Sequence, residues 1–193
     1  MKRNIVILVL GSCCLFNSCY ELDLNPLSQG SSENWYSSET EIEMALKDGY
    51  RQDFWPKDKE EWTDDYVYRE TNSAIVNGTL NGQTDEVTKM WSNQYKAIAR
   101  ANTVLANMEK AQSLGISQSK IDQYTAEAYF LRASMYSTLI SHFGDVVYVT
   151  EVMDVDQAFE VGRTAKAEII PKVYEDFDKA AAGLPLVYTG STS

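Results

Sequence analysis

The sequence is poor in the residues that most metal sites and many enzymes need. Its 193 residues contain three cysteines, Cys13, Cys14 and Cys19, all close to the amino terminus, and a single histidine, His142. Structural zinc, haem and disulfide frameworks use clusters of Cys and His, so these sites are largely excluded from the rest of the chain. Hydrolases built on a Cys–His or Ser–His pair are largely excluded for the same reason. We expect no cofactor and no metal site.

Positive charge is also scarce. Lys and Arg number 17 against 28 Asp and Glu, a formal net charge of -11. A field of that sign repels phosphate backbones, so nucleic acid is not an expected partner. The acidic clusters at 58–61 and 154–156 lack the spacing of a calcium loop and are interpreted as solvated faces. With 44% hydrophobic residues, the chain has enough apolar material for one globular domain.

The first residues have the pattern of an export signal. Lys2 and Arg3 precede the apolar run 5–10, which is too short to span a membrane as a helix. The stretch Leu15-Phe16-Asn17-Ser18-Cys19 resembles a bacterial lipobox, with Cys19 as the lipidated residue. The alternative, Leu10-Gly11-Ser12-Cys13, stays open. We predict a signal peptide over 1–18, a tether over 19–37 and attachment to the membrane through the lipid.

The remainder favours four helices. Ser38 and Glu41 form a capping box that predicts a first helix over 38–54. An apolar stripe from Trp91 to Met108 predicts a second helix that ends near 114–115. Ser117 or Ser119 caps a third, apolar on nearly all sides, that ends at Gly144. The fourth is capped by Thr164 or begins closer to Ile169, because Pro171 is tolerated only near a first turn, and it ends at Gly183.

Four helices in two hairpins, with alanines where they cross, predict stacked helix-turn-helix units. A strict 34-residue repeat is absent, so only a degenerate tetratricopeptide-like version is expected. We therefore predict an all-α fold of antiparallel helical hairpins.

Several motifs in this order resemble the SusD/RagB family of surface glycan-binding lipoproteins. The chain departs from the family pattern at Val147, where proline is usual. It also stops at Ser193, although family members are longer, so we interpret 38–193 as the N-terminal portion of a SusD-like helical domain. The motifs are a lipobox cysteine followed by Glu21-Leu22-Asp23-Leu24-Asn25-Pro26; Trp91, Tyr95, Ile98, Arg100-Ala101-Asn102 and Val104-Leu105; Ala126-Glu127-Ala128-Tyr129-Phe130-Leu131-Arg132-Ala133 and Tyr136; Phe143-Gly144-Asp145-Val146-Val147; Arg163; and Leu184-Pro185.

This resemblance implies an outer-membrane lipoprotein that faces the outside. It would capture an oligosaccharide and deliver it to a SusC-type TonB-dependent transporter, without catalysis. In the family, much of the sugar site lies in loops and in later parts of the chain.

The segment 55–85 is the one aromatic-rich stretch without helical periodicity, and we expect a long irregular loop there. Flat aromatic rings bind the C–H faces of sugars, while neighbouring amides and carboxylates bind hydroxyls. Trp55, Trp62, Tyr66 and Tyr68 are the candidate glycan-binding residues. Asn77-Gly78 predicts a small hairpin turn within this loop.

Two other residues and two rival functions complete the expectations. Glu127 and Arg132, five positions apart, cannot pair on one helix face, so each is expected to bond to a neighbouring helix. His142 at a helix end is expected to be structural. No carboxylate pair marks a glycosidase, so we expect no enzyme. The alternative is a helical-repeat adaptor that binds protein and no sugar.

Overall fold

Helices account for every regular element of the described chain. The computed structural model describes residues 35–55, 63 and 74–187. Extended backbone pairs within these ranges only at an isolated antiparallel bridge between Val146 and Thr164. The all-α prediction is confirmed. The elements are α1 (Glu39–Asp48), a 3₁₀ turn (Gln52–Phe54), α2 (Asp85–Ala106), α3 (Met108–Ser113), α4 (Gln118–Phe143), α5 (Val155–Glu160) and α6 (Lys166–Gly183).

The predicted first helix is split in two. Ser38 caps α1 as expected, since its Oγ accepts the Glu41 N–H at 3.4 Å, but the Glu41 carboxylate bonds to Ser37. The helix then ends at Gly49, where a Cβ would lie 2.5 Å from Leu131 Cδ1. This close approach needs glycine. Arg51 is extended, with ψ 135°, and separates α1 from the 3₁₀ turn.

The predicted second helix is also two helices. α2 begins six residues before Trp91, in an acidic first turn that suits the positive end of the helix dipole. It ends at Asn107, whose backbone leaves the helical region at φ -98° and ψ 3° and whose Nδ2 donates to the Thr103 carbonyl at 2.8 Å. The short α3 follows. Asn favours such local bonds over a continuous helix.

The middle of the fold is α4, which runs antiparallel to α2. Phe143 at the end of α4 lies 5.1 Å from Trp91 near the start of α2. Arg132, earlier in α4, bonds to Asn102, later in α2. Residue numbers along the shared contact therefore run in opposite directions. Ser117 precedes α4 and Gly144 ends it with φ 72°, as predicted.

α6 lies antiparallel along another side of α4. Arg132 bonds to Asp176 near the middle of α6, and Gly183 at its end lies against Ala126. A Cβ on Gly183 would be 2.7 Å from Ala126 Cβ, so two small residues allow the helices to approach closely. The expectation that α4 is packed on several sides is confirmed. The core includes Ile98, Ala133, Met135, Tyr136, Leu139, Val146, Ile169 and Val173.

The start of α6 differs from the prediction. The helix begins at Lys166 after Ala165, so neither Thr164 nor Ile169 marks its start. The backbone N–H of Lys166 donates to Asp145 Oδ1 at 2.8 Å, a cap supplied from 21 residues away. Pro171 falls at the sixth position, where it removes one intrahelical hydrogen bond.

Two further local features differ from the sequence expectations. The hairpin predicted at Asn77-Gly78 is a helical turn in which Gly78 (φ 66°) donates to Ile75 O and Thr79 to Ala74 O, the bonds of a Schellman motif. The short helix α5 was not predicted, although Asp154 caps it through a full capping box. None of the described helices is long and apolar enough to cross a membrane.

Candidate functional site

Of the residues proposed to bind glycan, the structure describes one. Trp62, Tyr66 and Tyr68 lie outside the described residues, as does the lipid-anchor candidate Cys19. Trp55 follows the 3₁₀ turn and is half-buried. The place where the aromatic-rich segment leaves the helical body is therefore defined, and the mutual arrangement of its aromatic side chains is not part of the description.

Trp55 belongs to a row of aromatic rings. Its ring lies almost parallel to that of Tyr50, at 6° and 6.1 Å between centroids, and 6.2 Å from that of Phe130 on α4. The indole N–H donates to the Gly49 carbonyl at 3.2 Å. The polar edge of Trp55 is thus occupied inside the protein. A sugar could use the ring only through the apolar surface left at its exposed side.

Two amides of α2 hold the start of the aromatic-rich segment. Asn93 Nδ2 donates to the Asp53 carbonyl at 3.1 Å, and Gln94 Nε2 donates to the Phe54 carbonyl at 2.7 Å. Gln94 is buried. Since buried amide bonds fix both partners, α2 sets the position from which residue 55 departs.

Carboxylates lie beside this aromatic row. Tyr50 shares a hydrogen bond with Glu127 of α4, which confirms that Glu127 bonds outside its own helix. Burial raises the pKa of Glu127; the Tyr50 bond lowers it and the charge of Glu43 raises it further. The Tyr124 hydroxyl lies 2.9 Å from Glu39 and 3.0 Å from Glu43, and Lys120 pairs with Glu39. Rings next to carboxylates are the chemistry expected of a sugar-binding surface.

A second polar centre is fully buried. Arg132 makes two bonds to the Asp176 carboxylate, Nε–Oδ2 at 2.7 Å and Nη2–Oδ1 at 2.9 Å, and the two residues are 5% and 3% exposed. Nη1 donates to Asn102 Oδ1 at 3.0 Å. Burial alone lowers the pKa of Arg132, but the bonds to Asp176 raise it overall, so the guanidinium stays charged. The prediction that Arg132 bonds to neighbouring helices is confirmed.

The same centre holds the backbone that follows α4. Tyr95 donates to the Val147 carbonyl at 2.8 Å, and Arg132 Nη1 donates to the Thr150 carbonyl at 3.2 Å. Burial raises the pKa of Tyr95 to about 12, so its hydroxyl stays a donor at neutral pH. We call Tyr95, Asn102, Arg132, Tyr136 and Asp176 the clasp.

The two remaining contacts of the clasp complete this arrangement. Tyr136 OH both donates to Val149 O at 2.8 Å and accepts from Val149 N at 2.6 Å. Asn102 Nδ2 lies 3.2 Å from the carbonyls of both Val149 and Glu151. Because buried carbonyls need partners, these side chains lock one path for residues 147–151.

The clasp explains most of the helical motif letters, and it also includes a residue that sequence reasoning missed. Asp176 was not singled out, although it lies three residues after Val173 and four before Ala180, on the buried face of α6. An acid at an apolar position of a helical stripe is the signal that identifies such a partner. His142, in contrast, is exposed and its Nδ1 lies 2.9 Å from the Thr138 carbonyl in the preceding turn.

Cavities and ion sites add little to the aromatic row. A hollow of about 160 Å³ lies among Ile75, Leu80, Met90 and Phe143, with His142 at its wall. It is smaller than the pockets that enclose drug-sized ligands, roughly 300–1,000 Å³. Among the described residues, no group of His, Cys, Asp and Glu side chains is placed to hold a metal ion.

Comparisons with known proteins agree with this fold. Residues 22–192 match the SusD-like family described as "Starch-binding associating with outer membrane". SusD-like protein P2 of Formosa agariphila is 23% identical over 181 residues, which cover 86% of this chain and 35% of that protein.

Two solved structures resemble the model. The SusD-like carbohydrate binding protein of Bacteroides fragilis is 27% identical, with a TM-score of 0.63 over 77% of this chain and 32% of that one. A laminarin binding SusD-like protein is 27% identical, with a TM-score of 0.52 over 58% and 23%. The chain thus spans about a third or less of each of these relatives. On the family match over residues 22–192, the chain belongs to the SusD/RagB family.

Proposed function

We propose that this chain takes part in non-catalytic capture of an oligosaccharide at the outer membrane. The observation that carries the proposal is the family match over 22–192, to proteins described as starch-binding and associated with the outer membrane. Two relatives support the same ligand class, since their names describe carbohydrate binding and laminarin binding. The aromatic row next to Glu43 and Glu127 is chemically suited to it.

The proposed contact residues are Trp55, Trp62, Tyr66 and Tyr68. Trp55 anchors one end, since its indole N–H is bonded to Gly49 and its ring packs near Phe130. Its replacement is therefore expected to disturb packing as well as binding. The other three are the cleaner probes, because the proposal assigns them only to the ligand.

Membrane attachment and delivery complete the proposal. Lipidation of Cys19, or of Cys13 in the alternative, would tether the domain to the outer membrane on its extracellular side, because several acyl chains hold far more firmly than one. The tethered protein would pass its ligand to a SusC-type TonB-dependent transporter. Labelled palmitate should enter the exported chain and be lost in one of Cys19→Ala and Cys13→Ala. Retention of label in both variants would contradict the anchor. A tagged chain should co-purify with a TonB-dependent barrel from native outer membranes.

Calorimetry on the full-length chain tests glycan capture. The probes are laminarin, soluble starch and a panel of other oligosaccharides. We expect binding to at least one, weakened at least about tenfold by Trp62→Ala, since stacking of one ring contributes about 1–3 kcal/mol. Tyr174→Ala is the control, because Tyr174 is an aromatic residue on α6 with 66% exposure. Unchanged affinity in Trp62→Ala, Tyr66→Ala and Tyr68→Ala would overturn the assignment. Release of new reducing ends would point to an enzyme.

A further inference from the structure

A groove that the proposed glycan site does not use lies between α2, the segment 147–153 and α5. It consists of two adjoining hollows of about 240 and 230 Å³ that share four lining residues. We call it the α5 groove. Its lining includes Trp91, Tyr95, Val149, Met153, Ala158 and Val161. Most of these side chains are apolar, so the surface left open is mainly carbon.

The polar groups in the wall of the α5 groove are already bonded within the protein. The Tyr95 hydroxyl donates to Val147 O, and Thr103 Oγ1 donates to Ala99 O. Asn102 uses its amide N–H groups on two carbonyls and its oxygen on Arg132. A sugar placed here would lose water from its hydroxyls without gaining partners, which is unfavourable. Apolar side chains lose no such bonds on entering.

The rim of the α5 groove is acidic. Glu151, Asp154, Asp156 and Glu160 are all exposed, and within the described ranges no ion pair involves them. The cation at this face is Arg163, whose guanidinium lies 5.6 Å from the Trp91 ring centre and donates to the Asp145 carbonyl. Opposite charge on an occupant is therefore favoured at the rim.

Two apolar side chains next to the groove extend the same surface. Phe159 of α5 is 86% exposed, and Val152, which lines the first hollow, is 57% exposed. Exposed apolar residues beside a groove mark interaction surfaces more often than isolated ones do. A second copy of a chain with net charge -11, and an anionic membrane surface, both carry the sign that the rim repels.

We propose that the α5 groove docks a segment of a partner protein in which apolar side chains alternate with Lys or Arg. The apolar side chains fill the two hollows and cover Phe159, and the basic residues lie against the four rim carboxylates. This interaction is independent of the proposed glycan binding, since it uses neither the aromatic row nor residues 62–68.

Fluorescence anisotropy with the full-length chain of the native gene tests the docking surface. The probe is a labelled peptide of about 12 residues in which Leu and Phe alternate with Lys, matched by a peptide with Glu in place of Lys. We expect the Lys peptide to bind, with affinity falling at least about tenfold between low and high salt because the rim charges are screened. Met153→Asp should weaken binding at least tenfold and Phe159→Ala several-fold. Tyr174→Ala should leave it unchanged.

Several results would overturn the proposal. These are no binding of the Lys peptide at millimolar concentration, equal binding of the Glu peptide, or binding that Met153→Asp and Phe159→Ala do not alter. Burial of the Met153 methyl group by other parts of the full-length chain, seen by NMR, would make the groove an internal packing surface. Dimerisation or binding to phosphatidylglycerol vesicles that Phe159→Ala abolishes would assign the surface to a second copy or to the membrane. Circular dichroism melting shows whether each variant is folded.

Discussion

The two sides of segment 147–153 differ in kind. On the inner side, its carbonyls are bonded by the clasp, whose Arg132 and Asp176 are almost fully buried. On the outer side, Val149 and Met153 line the α5 groove, where carbon surface is left open. The inner bonds have one geometric solution and specify the fold. The outer face specifies nothing about the fold, so it is available for a partner.

The strongest way to break this comparison is to remove the charge at the centre of the clasp. Arg132→Met leaves the Asp176 carboxylate buried without its partner, and we expect a loss of about 3–5 kcal/mol in the free energy of unfolding. Urea denaturation measures it. The double variant Arg132→Met/Asp176→Leu should recover most of the loss, since it leaves no buried charge. A loss below about 1 kcal/mol in the single variant would show that the clasp is not a stabilising centre.

A smaller effect is expected from one hydroxyl of the clasp. Tyr136→Phe keeps the ring but removes both bonds to Val149, which leaves a buried N–H without its partner. The expected loss is about 1–3 kcal/mol. Tyr174→Phe, on the exposed surface of α6, is the matched control and should be neutral. Equal stability of the two variants would mean that the segment 147–151 is not held by this bond.

The cap at α6 should matter less again. Asp145→Ala removes the acceptor for the Lys166 N–H, and caps of this kind contribute about 0.5–2 kcal/mol. Asp145→Asn keeps an oxygen in the same place and should restore most of the stability. Thermal unfolding of the two variants checks the difference, and equal losses in both would assign the effect to charge instead of to the cap.

The smallest expected effect sharpens the contrast between the clasp and the half-buried aromatic row. Because burial raises the pKa of Glu127, the folded chain binds more protons than the unfolded chain above the ordinary glutamate range, and stability falls as pH rises through that interval. Glu127→Gln removes this dependence. The stability of the wild type relative to this variant should therefore be greater at about pH 4 than at about pH 7. Glu109→Gln, at an exposed carboxylate, is the control. The opposite slope would contradict the raised pKa.

Elements with local signals were predictable from the sequence. α4 was predicted within a residue or so at both ends, because Ser117 and Gly144 are local punctuation for a helix of 26 residues. The end of α6 at Gly183 was predicted for the same reason. The start of α6 could not be predicted in this way, since its cap, Asp145, is 21 residues away. The break after Gly49 likewise depends on a tertiary contact with Leu131.

The candidate site was less predictable than the fold. The letters Tyr95, Asn102, Arg132 and Tyr136 were recognisable as a family motif, but their joint action on residues 147–151 appears only when three helices meet. The α5 groove has no sequence signal of its own, because its lining comes from α2 and from a connection without helical period. The glycan-binding assignment of Trp62, Tyr66 and Tyr68 stays a prediction.

One crossed measurement tests most directly whether binding and folding are carried by different parts of the chain. Glycan affinity and the free energy of unfolding are measured together for Trp62→Ala and Tyr136→Phe in the full-length protein. Separate roles predict that Trp62→Ala loses affinity at little cost in stability, while Tyr136→Phe loses stability and still binds the glycan. Loss of affinity in Tyr136→Phe with full binding by Trp62→Ala would contradict the account.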